Sequence, residues 1–451
     1  MEALSETNDN GLRVCLLNDS FPPKIDGVAN AVCNYASIIQ TKTKGCAMVA
    51  TPYYPNAKDD YCYPVFRYRS LSVGSKLEGY RAGYPFSASM ITEIGKFKPD
   101  IIHVHCPFAS NILARALREA FDVPIVFTYH TKYDIDISQS FDSKIMKSAA
   151  VRLILANIEA CDEVWAVSEG AAENLNSLGY RGDCTVMENG VDFPRGRVDD
   201  EIVAKVRREN GLSDDIPTFI FVGRMMWYKG IRIILDGLRI AKDRGCRFKM
   251  IFVGDGEDFA EIKTHAADIG MEDDCIFKGG IYDREVLRSY FCAADLFIFP
   301  STYDTNGIVV REAAACSVAS VLVRGSCAAE GTSDGRNCIH IDENIESLAN
   351  VIENVCANPE ILPKIGKAAA TELFISWNDS VTKAYKRYQV IVDNYQKGET
   401  NRREKFSDDF IAFMADSMDA VQKIRCKRQT FIKKQTALQR RLLSKIRKKT
   451  K

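Results

Sequence analysis

The sequence predicts an α/β protein made of two facing Rossmann-like domains, each a doubly wound parallel sheet, followed by a C-terminal helical extension. Three observations carry that expectation. Short apolar runs alternate with longer amphipathic stretches over residues 13–190, the rhythm of strand–helix–strand units around a parallel sheet. The rhythm returns over residues 217–341. The residues suited to chemistry come directly after apolar runs, at the carboxyl ends of strands, where such sheets bind their ligands.

In chain order, the first domain has strand candidates at Arg13–Asn18, Cys46–Thr51, Val65–Arg69, Ile101–Cys106, Ile125–His130, Glu163–Ser168 and Cys184–Glu188. Most are separated by helical patterns. The second has Phe219–Val222, Met250–Val253, Ile276–Lys278, Leu296–Phe299, Ser320–Val323 and Cys338–Ile341. Helical segments near 345–370 and 379–395 close the fold, with Trp377 at the start of the last. The expected divisions are 12–195, 196–375, 376–398 and a tail over 399–451. The sequence shows no internal repeat at solenoid spacing, although the two halves share a βα rhythm.

Bulk properties narrow the class. A chain of 451 residues with 46% hydrophobic and 27% charged residues has the composition of a globular protein of two or three domains. No run of about 18 apolar residues suggests a spanning helix. The first residues lack the basic and apolar regions of a signal peptide. Fifteen cysteines, several inside strand-like runs and none in a CxxC pair, read as reduced thiols. Cytoplasmic residence is therefore expected. The formal net charge of zero hides an asymmetry: of 60 basic and 60 acidic residues, thirteen basic and no acidic ones lie in 421–451, leaving 47 basic against 60 acidic before them.

Two motifs point to a phosphate-bearing ligand. The apolar run Leu296–Phe299 leads into Pro300-Ser-Thr-Tyr-Asp-Thr-Asn-Gly-Ile-Val-Val-Arg-Glu312, so Gly307 stands where a strand hands over to a helix. The first N–H groups of that helix, at Gly307, Ile308 and Val309, have no intrahelical acceptor and favour an anion. Asp304 and Glu312 flank the turn and can accept hydroxyl hydrogen bonds. Earlier, Phe219-Ile-Phe-Val-Gly-Arg-Met-Met-Trp-Tyr-Lys-Gly230 is a strand running into Arg224 and Lys229. An arginine grips phosphate oxygens bidentately and a lysine adds a point charge. The loop after the first strand lacks GxGxxG, which disfavours a nicotinamide enzyme; its Gly27 can let backbone donors approach a diphosphate.

Together, Val222-Gly-Arg224, Lys229-Gly230 and the Asp304-x7-Glu312 element resemble the retaining nucleotide-sugar glycosyltransferases of family 4, which have the GT-B fold. Asn18-Asp-Ser-Phe-Pro-Pro-Lys-Ile-Asp-Gly27, Phe127-Thr-Tyr-His130-Thr and Glu188-Asn-Gly-Val-Asp192 are similar to further family segments, and the likeness runs from about residue 12 to 395. The family usually has Glu, then Thr-Phe-Gly, where this chain has Asp304-Thr-Asn306-Gly307. The resemblance implies a catalytic set of His130, Arg224, Lys229 and Asp304, and donor-binding residues Gly27, Asn306, Gly307, Ile308, Val309 and Glu312. Glu312 would accept from ribose hydroxyls, and Asp304 and His130 would lie near the donor sugar. The last helix, in 376–398, would cross back to the first domain.

His103-Val-His105 invites a metal reading, but no partner cluster is evident and the family needs no bound cation, so neither metal nor cofactor is expected beyond the nucleotide-sugar co-substrate. In the tail, Ile424, Phe431, Leu438, Leu442 and Ile446 form one helical stripe among lysines and arginines, the pattern of a helix lying on an anionic membrane surface. With little aromatic interleaving, nucleic acid is not expected. The expected protein is a hexosyltransferase, peripheral on the inner face of the cell membrane, moving glucose from a UDP-sugar to a lipid or lipid-linked acceptor, with diacylglycerol as the best fit to the resemblance. Polysaccharide or lipid-linked glycan assembly, and a non-catalytic membrane-docking relative, stay open as alternatives.

Overall fold

The computed structural model describes residues 11–24, 26–72, 80–85, 88–133 and 143–399. The amphipathic pattern expected over 421–451 lies outside the described residues. Of these residues, one compact unit holds those up to Thr128, those within Ile137–Val164 and those from Arg387 onward; the other holds those within Tyr129–Asp136 and Trp165–Lys386.

Fifteen strands are described: β1 Arg13–Leu17, β2 Cys46–Pro52, β3 Val65–Tyr68, β4 Ser70–Ser72, β5 Arg81–Gly83, β6 Ile101–Val104, β7 Ile125–Tyr129, β8 Glu163–Ala166, β9 Thr185–Val186, β10 Thr218–Val222, β11 Lys249–Val253, β12 Cys275–Phe277, β13 Leu296–Phe299, β14 Ala319–Val323 and β15 Ile339–Ile341. One sheet has the order β3-β2-β1-β6-β7-β8-β9 and another the order β12-β11-β10-β13-β14-β15. Neighbouring strands pair in parallel, as with Phe219 opposite Leu296 and Ile298 opposite Val321. These are the two doubly wound sheets the alternation implied. The antiparallel pair β4–β5 was not anticipated, because three-residue strands are too short to show an alternating pattern.

The strands read as unbroken apolar runs because helices cover both faces of a parallel sheet. Val14, Cys15, Leu16 and Leu17 are fully buried, as are Phe219, Ile220 and Phe221 and, in β13, Leu296, Phe297 and Ile298. Each fully buried large side chain contributes roughly 1.5–3 kcal/mol relative to exposure. Helix starts are fixed by side-chain caps: Asp26 accepts from Ala29 N ahead of Gly27–Lys42, Ser168 from Ala171 N ahead of Glu169–Leu178, and Asp283 from Glu285 N and Val286 N ahead of Arg284–Ala293. Asp26 and Ser168 each satisfy one unpaired donor at a helix start, and Asp283 satisfies two.

His103 and His105 lie with ring centres 3.9 Å apart. His103 has Thr128 Oγ1 at 2.7 Å on Nε2 and the Tyr388 hydroxyl at 2.5 Å on Nδ1. Both ring nitrogens thus serve packing within the first unit. Tyr388 belongs to the final helix, Trp377–Gln396, which also places Arg387 2.7 Å from Glu163.

Candidate active site

In the second sheet the strand order reverses direction between β10 and β13. Such a switch point opens a crevice at the strand carboxyl ends, and both phosphate motifs lie there. After β10 the chain runs through Arg224 into a short 3-10 turn, Trp227–Lys229, ended by Gly230 at φ 76°. A Cβ on Gly230 would stand 2.2 Å from the Pro300 carbonyl oxygen. Glycine is thus needed both for the left-handed backbone and for the close approach of this turn to the end of β13.

That approach brings Lys229 to Asp304. The ammonium donates to both carboxylate oxygens, at 2.8 and 2.9 Å, and Ser301 Oγ donates to Oδ2 at 2.6 Å. Lys229 is 6% exposed. Burial pulls its pKa down, the facing Asp304 opposes that pull, and Arg224 and Lys132 add to it. Arg224 is exposed, with its guanidinium 5.8 Å from the Tyr228 ring centre. Tyr228 and Tyr303 meet at 4.4 Å, and the Lys229 ammonium lies 5.2 Å from the Tyr303 ring. The two motifs therefore form one cationic, aromatic-walled cluster around a single carboxylate.

Gly307, at φ 57°, precedes the helix Ile308–Ala315, and a Cβ on it would lie 2.9 Å from Ala328 Cα. The helix start leaves the N–H groups of Ile308 and Val309 without intrahelical acceptors. Glu312, four residues in, is 5% exposed and accepts from Arg284 Nη2. Burial raises its pKa, and Arg284 works against the rise. Arg284 also lies over the Phe193 ring at 4.4 Å. Asn306 is 8% exposed, and neither atom of its amide has a protein partner. Its side chain lines a small cavity with Val310, Arg311, Ala328, Thr332 and Leu373.

His130 follows β7 and is 7% exposed. Burial lowers its pKa to about 3, so the imidazole is neutral. Its carbonyl accepts from Thr305 Oγ1 at 2.7 Å, which ties the end of β7 to the Asp304 loop. Gly27 lies in the other unit, as the first residue of its helix behind the Asp26 cap. A Cβ there would meet nothing within 4 Å, so neither crowding nor backbone sign requires glycine. Sequence reading missed Arg284, Ser301 and Lys132. Arg284 and Lys132 carry no spacing signal, and Ser301 is an ordinary turn residue.

This switch point, with a buried lysine, a neighbouring arginine and an open helix start, lies in the second of two doubly wound parallel sheets, the architecture of GT-B proteins. Residues 46–195 match the model for Glycosyltransferase Family 4 and residues 203–372 that for Glycosyl transferases group 1. The chain belongs to glycosyltransferase family 4 and is an enzyme of the hexosyltransferase class. It is 24% identical over 321 residues to an alpha-monoglucosyldiacylglycerol synthase of Streptococcus pneumoniae, covering 70% of this chain and 71% of that protein. With the alpha-monoglucosyldiacylglycerol synthase of Acholeplasma laidlawii it shares 23% identity over 368 residues, 79% of this chain and 92% of that one. Among solved structures, Anabaena Alr3699/HepE in complex with UDP and glucose aligns with a TM-score of 0.66 at 17% identity, over 84% of this chain and 99% of that one. The family implies a nucleotide-sugar donor and an acceptor. Among the described residues no helix is long and apolar enough to cross a membrane.

Proposed function

We propose that the protein is a retaining glucosyltransferase that moves glucose from UDP-glucose to a membrane lipid, with diacylglycerol as the acceptor. The observation that carries the reaction class is the Lys229–Asp304 pair, with Arg224 beside it, at the β10/β13 switch point. A buried ammonium there meets the charge that develops on a departing diphosphate, and in a water-poor site that stabilisation is the largest catalytic term available. Names of the relatives support the lipid acceptor, and the basic residues 421–451 support an anionic surface.

In this reading the donor diphosphate lies on the N–H groups of Gly307, Ile308 and Val309, with Arg224 and Lys229 on its oxygens. Glu312 accepts from the ribose hydroxyls. Asp304, released in part from Lys229 by the phosphate, accepts from sugar hydroxyls, as does neutral His130 near the reacting centre. Asn306 supplies backbone to the turn. The bond from C1 to the β-phosphate oxygen breaks with its electron pair going to that oxygen. The acceptor oxygen bonds C1 from the same face, and its proton passes to the leaving phosphate. Side-chain cations carry the charge, so no metal or other cofactor is assigned a role.

A donor-by-acceptor screen with mass detection of the product tests this. Glucosyl-diacylglycerol from UDP-glucose is the expected product; transfer from another donor, or to a polysaccharide only, removes the assignment. Arg224→Ala and Lys229→Ala are expected to stay folded and lose turnover. Each charge-assisted bond is worth about 1.5–3 kcal/mol, so transfer falls by roughly one to two orders of magnitude. Near-normal transfer in both removes the diphosphate role.

A further inference from the structure

The cluster holds a third cation that neither phosphate motif contains. Lys132 lies two residues beyond His130 and donates to the Thr302 carbonyl at 3.3 Å. Its charge also acts on the Cys327 thiol, opposing the rise that burial gives that group. The Thr305–His130 bond at 2.7 Å fastens the same strand end to the same loop, so Lys132 is held two residues ahead of Asp304. Its charge acts on Lys229 in the same sense as that of Arg224.

Both oxygens of Asp304 are taken by Lys229, and Arg224 and Lys132 are further positive charges that act on that lysine. Lys132 donates to a backbone carbonyl, which carries no formal charge. Positive charge added beside a lysine already matched to its carboxylate favours an anion that can bond the added cations as well. A sugar diphosphate brings a negative charge on each phosphate, and cleavage of the C1–O bond adds another on the β-phosphate. A lysine suits that event, since its flexible stem lets a compact charge follow the departing oxygen.

We propose that Lys132 is a third diphosphate-binding cation, which meets the charge on the β-phosphate as the sugar leaves. The proposal rests on the nucleotide-diphosphate reading of this site. Its measure is the difference between a diphosphate and a monophosphate. Calorimetry on the full-length chain would compare UDP with UMP, and GDP and ADP with their monophosphates, for wild type, Lys132→Gln and Lys132→Arg. With the best-bound base, Lys132→Gln is expected to weaken diphosphate binding about tenfold and leave the monophosphate unchanged. It is also expected to flatten the salt dependence of diphosphate binding and to lower kcat at saturating donor. Lys132→Arg should recover most of each loss. Unchanged diphosphate affinity and kcat in Lys132→Gln overturn the proposal while leaving the site reading intact. Equal loss of diphosphate and monophosphate also overturns it, by showing a structural role. A wild-type chain that binds no nucleoside diphosphate overturns the site reading itself, and this proposal with it.

Discussion

His130 has almost no exposed surface, and burial moves its pKa to about 3, far below the ordinary value near 6.5. A histidine depressed in the folded state takes up its proton only on unfolding. Stability is therefore lost as pH falls below about 6.5, by at most about 1.4 kcal/mol per pH unit from this one group. Chemical denaturation between pH 7.5 and 5 should show wild type losing more stability than His130→Gln. The pH–rate profile should show no step from this residue between pH 5 and 8. Glycines separate in the same way by their surroundings. Gly307→Ala forces a left-handed alanine, costing about 1–2 kcal/mol, and drives a methyl into Ala328; its melting temperature should drop by several degrees. Gly27→Ala meets open space and should melt with wild type, so a loss of donor affinity in that variant reports on ligand approach alone. At this scale the sequence showed Arg224, Lys229, Asp304 and Gly307, because strand ends and helix starts are local patterns. It did not show that Lys229 bonds Asp304, nor that Lys132 bonds the same loop, since those meetings join residues 75 positions apart and a separate strand end.

The strands were the most legible elements. Leu296–Phe299 was bounded without error and most others to within two residues, because burial on both sheet faces demands continuous apolar runs. The 345–370 helical segment is two helices, Ile345–Ala357 and Ile361–Glu372; Pro359 interrupts the run, as the missing donor and fixed φ of proline require. Helix partnership was not legible. The helices Arg284–Ala293 and Ile308–Ala315 are joined by Arg284 and Glu312, and nothing in either helix names the other. Arg284→Met should leave the buried Glu312 carboxylate without its cation, destabilising the chain by about 1–3 kcal/mol. Burial already raises the Glu312 pKa, and loss of Arg284 raises it further. The folded state then binds the proton more readily than the unfolded state, so the deficit should narrow as pH falls. Urea denaturation at pH 7.5 and 5.5 checks that sign.

For the whole molecule, the alternation of apolar runs and amphipathic stretches was enough to give two doubly wound sheets, and the strand orders agree with it. The tail enters only through composition: thirteen basic and no acidic residues over 421–451, with an apolar stripe. Flotation of the full-length chain with anionic vesicles should exceed that of a 1–420 truncation, and added salt should reduce the difference, since charge attraction to lipid is screened. Equal flotation removes the tail from the membrane argument. The coupling of Lys229 to Asp304 also bears on how such an enzyme behaves among bystander metabolites. A buried ammonium already matched by a carboxylate offers little to a stray inorganic ion, which could satisfy the lysine only by stranding the aspartate. A visitor that presents phosphoryl oxygens to one partner and hydroxyls to the other would strand neither, so under the proposed function the pair favours a phosphate that also carries a sugar.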